Sequence, residues 1–96
     1  MELSNKELRR KYEDKLLAVK NAIDEWDPLG LLPWAPSDEY DSESQDVLVR
    51  LHDAISIQEI AEIIADVFTR SFGETFAIEN CIEPAKGIYS NLGLKE

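Results

Sequence analysis

One spacing constrains this chain more than any other. Leu8, Tyr12, Leu16, Val19, Ile23 and Trp26 recur at intervals of 4, 4, 3, 4 and 3 residues. That is the repeat of a single apolar stripe on an α-helix about six turns long. Lys, Arg, Glu and Asp fill the intervening positions, so the rest of the helix faces water. Ser4 and Glu7 form a capping box at its start. Asp27 precedes Pro28, which disfavours helical geometry at Asp27 and stops the helix there. A helix of this length with one oily stripe must lie along other elements to bury it.

The partners are helical too. Asp41 or Ser42 can cap a second helix, with Gln45 completing a box on Ser42 and Val47, Leu48, Leu51, Ala54 and Ile55 as its apolar face. Ser56 and Glu59 begin a third with almost no loop between, lined by Ile57, Ile60, Ala61, Ile64, Val67, Phe68 and Phe72, and Gly73 suits the left-handed residue beyond its end. Ile78, Cys81, Ala85, Ile88 and Leu92 predict a fourth helix. Pro84 either starts that helix or bends it; the stripe runs through the proline, with Pro84 itself off the stripe, and favours a helix over 79–91. Gly87 weakens that helix and Gly93 ends it. No alternation of strand length occurs. The expectation is an all-α, compact four-helix domain, residues 1–96, with helices near 4–26, 42–54, 57–72 and 79–91. Ninety-six residues suffice for one such core and no second one.

Between the first two helices lies a connection of about fifteen residues, long for a helical domain. Asp27, Pro28 and Gly30 occupy the places a type I turn prefers. Pro33 and Pro36 keep the rest of the connection out of any ladder. Trp26, in register with the first stripe, belongs to the core. Leu31, Leu32 and Trp34 are expected to fold back on the helices, so Trp26, Asp27, Pro28 and Gly30 read as a structural strap. Trp34 falls outside any periodic pattern and is flanked by prolines; with Tyr40 it is the candidate for a partly exposed aromatic anchor.

Charge narrows the task. The net value is −10. From Asp27 to Ile55, Asp27, Asp38, Glu39, Asp41, Glu43, Asp46 and Asp53 face one base, Arg50. Nucleic acid and anionic membrane are poor partners for such a surface, whereas a basic protein fits it. Asp38, Glu39 and Asp41, with Trp34 and Tyr40, are the candidate partner-binding residues. Glu2 stands where a secretory leader needs a basic segment, and the most apolar run, from Ile55 to Phe68, is broken by Gln58, Glu59, Glu62 and Asp66. A cytoplasmic location is expected.

Catalytic signals are sparse. His52 has no accompanying nucleophile and reads as a boundary residue. Cys81 reads as a small core residue and precludes both a disulfide within the chain and a cysteine-based zinc cluster. Asp38, Glu39, Asp41 and Glu43 lack the glycine and terminal glutamate of a calcium loop. Glu43 with Asp46, and Glu59 with Glu62, place carboxylates three apart on successive helices, as magnesium-dependent helical nucleotide hydrolases do. Here Glu59, Glu62 and Asp66 lie opposite Ile60, Ile64 and Phe68, which predicts a solvated face and not a converging cage. No enzymatic activity and no cofactor or metal are expected. The metal-dependent hydrolase is one alternative, and a structural or self-associating protein without external ligand is another.

Trp26-Asp27-Pro28-x-Gly30, followed by Ala35-Pro36-x-Asp38-Glu39-Tyr40-Asp41, resembles the signature of the YugE-like family of small all-helical bacterial proteins. The resemblance implies the helical fold and a domain of unknown function, and it supplies no catalytic residues. Similar Trp-Asp-Pro and Asp-Glu-Tyr-Asp patterns in suspected immunity proteins suggest, by analogy alone, an immunity- or regulator-like binding module.

Overall fold

A computed structural model of the chain describes residues 5–28, 40–51 and 56–93. Helix α1 spans Asn5–Trp26, α2 Asp41–Arg50, α3 Ile57–Phe72 and α4 Ile82–Asn91, the last preceded by a 3-10 turn at Ile78–Cys81. The regular structure among the described residues is entirely helical, as the stripes require. Helix α4 packs on α1 and α3, and α2 also packs on both.

Among the described residues of the α1 stripe, burial is greatest toward the C-terminal end. Val19 and Ile23 are fully buried, Leu16 and Trp26 partly so, and Tyr12 is 45% exposed. The cause is length. At 1.5 Å per residue α1 runs about 33 Å, whereas α2 and α4 run about 15 Å each, so its first turns outreach them. The helix ends as Asp27 turns into the left-handed region (φ 41°), its N–H still donating to the Ile23 carbonyl at 2.9 Å. Aspartate tolerates that region better than most residues, and Pro28 bars the helical alternative. Ser4 and the side chains of Glu7 and Leu8 lie outside the described residues.

Helix α2 is shorter than its apolar pattern predicts. Tyr40 takes the cap position but its side chain does not bond the helix end, Asp41 opens the helix, and Ser42 is already inside it. The helix stops at Arg50 because Leu51 is extended (φ −76°, ψ 149°). A chain that must reverse direction to enter α3 has to leave helical geometry somewhere. The apolar repeat at Leu51, Ala54 and Ile55 gives no sign of where. His52, Asp53, Ala54 and Ile55 lie outside the described residues.

Helix α3 is the central element. The Ser56 hydroxyl accepts from the Glu59 N–H at 3.1 Å, so Ser56 caps the helix as its place in the sequence dictates, and the Glu59 carboxylate accepts from the same hydroxyl at 3.3 Å. Gly73, at φ 71°, sends its N–H to the Thr69 carbonyl. Ile60, Ile64 and Phe68 are fully buried. Phe68 gathers four aromatic rings: Trp26 at 5.2 Å, Phe72 at 5.6 Å, Phe76 at 5.7 Å and Tyr40 at 6.0 Å.

The fourth helix corrects the expected continuous run over 79–91. A 3-10 turn comes first, and the α-helix begins at Ile82, which puts Pro84 in its first turn, where a missing N–H costs nothing. Pro84 is buried and not off the packed face. Gly87 is explained by proximity: a Cβ there would lie 3.1 Å from the Ala22 Cβ. The Asn91 amide donates to the Ala18 carbonyl at 3.0 Å. Rising numbers on α4 thus meet falling numbers on α1, and the two helices are antiparallel.

Candidate functional site

The ends of the long connection are bolted together by residues that looked like site candidates. Tyr40 is fully buried between Phe68 and Phe72, and its hydroxyl donates to Asp27 Oδ1 at 2.6 Å. This corrects the expectation that its ring is partly exposed. Burial follows from position: one residue before α2, Tyr40 points into the gap between the end of α1 and the last turn of α3. Next to it, the Lys20 ammonium bridges Asp24 Oδ2 at 2.6 Å and Asp41 Oδ1 at 2.9 Å. Partial burial pulls the lysine pKa down, but hydrogen bonds to both carboxylates outweigh it and hold the pKa above its ordinary value. Asp41 therefore joins α2 to α1, with its side chain 41% exposed. Trp26 touches Phe68 and Phe76 edge-on. Pro28 follows Asp27 as the first residue of the connection. Gly30, Leu31, Leu32, Pro33, Trp34, Pro36, Asp38 and Glu39 lie outside the described residues.

The carboxylate pairs do not meet. Glu43 is buried and accepts from the Ser71 hydroxyl at 2.7 Å, near the C-terminal end of α3. Glu59 sits in the first turn of that helix. Twelve residues of helix separate Glu59 from Ser71, about 18 Å along the axis. Asp66, between them, is held by Arg50 at 2.7 Å and Arg70 at 3.1 Å. The Arg50 hydrogen bond, with the charges of both arginines, keeps the Asp66 carboxyl below its usual range. A carboxylate engaged by two guanidinium groups is a poor metal ligand. Among the described residues no group of three or more His, Cys, Asp or Glu could hold a metal ion. Cys81 is fully buried, and burial pushes its thiol up to about 11, so it carries almost no thiolate at neutral pH.

The described surface includes two open grooves of note. One, of about 360 Å³, runs between α2 and α3 past Glu43, Asp46, Val49, Arg50 and Arg70. The other, of about 430 Å³, lies between the end of α1 and the start of α4 and is lined by Ala22, Glu25, Trp26, Glu83, Pro84, Lys86 and Gly87. Glu25 and Glu83 escaped the sequence reading because each is an ordinary exposed acid on its own helix. Only the antiparallel register of α1 and α4 brings them to one groove. The signal that could have pointed there is Gly87, a glycine in mid-helix that implies a close neighbour.

Fold and surface together define a small four-helix domain in which, among the described residues, the carboxylates that come together are engaged by Lys20, Arg50 and Arg70 and form no metal-binding group. Residues 13–90 match the family described as a domain of unknown function, DUF1871, and the chain belongs to that family. No curated protein and no solved structure matches it. No helix among the described residues is long and apolar enough to cross a membrane.

Proposed function

We propose that this domain is a non-catalytic, cytoplasmic binding module that takes a basic protein partner on its acidic surface, and that it is a YugE-like member of its family. One observation carries the reading. The segment from Asp27 to Ile55 has seven acids and a single base, Arg50, and that base is occupied by Asp66 of the next helix. The segment therefore has no base of its own to spare for its acids, and the cation that reaches Asp41 is Lys20 of α1. A field of this sign attracts a basic surface and speeds encounter more than it tightens the final complex. Self-association offers no comparable fit, because two copies would bring like charges together.

The test neutralises acids of this segment other than those with a described partner. Asp41 is unsuitable because it holds Lys20. With a partner isolated by pull-down, Asp38→Asn, Glu39→Gln and Asp46→Asn together should slow association and flatten its dependence on salt, with dissociation little changed. Association that stays equally fast and equally salt-sensitive would rule out the acidic surface as the docking face.

A further inference from the structure

We propose that the groove between the last turn of α1 and the first turns of α4 receives an arginine side chain from a basic protein segment. The inference rests on the binding-module reading and deepens it by assigning a place and a chemistry. Four features of the groove converge. Gly87 and Ala22 bring the helices together with almost no side-chain bulk, and Pro84 lines the groove beside them. Trp26 forms a wall, its ring set by edge contacts to Phe68 and Phe76 inclined at 62° and 68°. Glu25, exposed on α1, makes no hydrogen bond or ion pair with any described residue. Glu83, on α4, has a side chain 84% exposed and only a loose contact of 3.8 Å with Lys86.

A flat cation suits these walls better than any other ligand class. A guanidinium can lie against the indole while its five fixed donors reach carboxylates on two different helices. An ammonium, compact and strongly hydrated, uses the aromatic wall less well. An anion would meet both glutamates. An apolar side chain would strip water from them without replacing its hydrogen bonds. Lys86, at the rim, is the built-in competitor: its ammonium sits near Glu83 and must yield to an incoming guanidinium.

The experiment uses the full chain carrying Trp34→Phe, which leaves Trp26 as the single tryptophan. An acetylated, amidated hexa-arginine peptide is titrated at low salt while Trp26 emission is followed. A saturable change is expected. Glu25→Gln with Glu83→Gln should weaken it by about fivefold, the loss of two exposed charge contacts, at an unchanged melting temperature. Lys86→Gln should tighten it. No saturable change at Trp26, or equal affinity in the double glutamine variant, overturns the proposal. Loss of the signal only on Asp38→Asn with Glu39→Gln would place the peptide on the other acidic segment; that too overturns the groove, while leaving the binding module standing. Should the groove titrate as expected while no partner shows the salt-dependent association, the groove stands and the steering surface fails.

Discussion

Removing one oxygen atom, by Tyr40→Phe, tests whether the long connection is held at its base. The ring is fully buried and its hydroxyl lies 2.6 Å from a carboxylate thirteen residues back in the chain. Phenylalanine keeps the contacts with Phe68 and Phe72, so packing is nearly constant across the change. What is lost is a hydrogen bond to a charged acceptor, worth about 1.5–3 kcal/mol net. For a domain of this size, each kcal/mol shifts the melting temperature by about 4–8 °C. Tyr40→Phe should therefore lower it by at least about 6 °C. Asp27→Asn is the matched partner, because asparagine also tolerates the positive φ of 41° and still offers an acceptor, now uncharged. It should cost about 1 kcal/mol, the difference between charged and neutral acceptors. After Asp27→Asn, Tyr40→Phe should cost correspondingly less, and that difference is the coupling a double-mutant cycle reads. Thermal melts of the four proteins suffice. A Tyr40→Phe variant that melts within about 1 °C of the parent, or costs that simply add, would refute the tie.

The same packing sets three further outcomes. Ile64→Ala, at a fully buried position on α3, should lose about 2–5 kcal/mol in urea unfolding with little change in slope, and Leu16→Ala, only partly buried, less. Gly87→Val should destabilise by about 1–3 kcal/mol, since even a Cβ would stand 3.1 Å from that of Ala22, and Ala22→Gly should recover part of the loss in thermal melts. Because the folded Asp66 pKa is depressed below 3.8, its ion pair adds stability above the unfolded value and loses it as pH falls through the folded one; Asp66→Asn should therefore melt below the parent at neutral pH and converge with it in strong acid.

Helices were legible where residue identity alone decides the local outcome. The Ser56 cap, Gly73 at the end of α3 and Pro28 at the end of α1 each act through the backbone within one turn, and each appears where its chemistry puts it. The end of α2 was not legible, because Leu51 goes extended to allow a reversal set by how α2 and α3 pack, and an apolar repeat carries no signal for that. Pro84 failed for a related reason: periodicity ran on through residues 78–81, where a 3-10 turn keeps enough of the helical repeat to mimic its continuation. Tyr40 failed differently. It belongs to none of the helical stripes, and only the position of the Asp27 carboxylate explains how its hydroxyl can be buried.

The burial of Tyr40 changes how the most distinctive stretch of this chain should be interpreted. Trp26 leans on the aromatic core, Asp27 accepts from Tyr40, Tyr40 fills the space against Phe68 and Phe72, and Asp41 reaches back to Lys20. Residue types that suggest a ligand site are here engaged with one another. A side chain that already has its partner inside the fold has little free energy left to offer outside it, since a competing ligand must first replace the contact it breaks. Acids without such partners are the better place to look for binding. Among the described residues these include Glu25, which stands one position before the tryptophan that the core holds still.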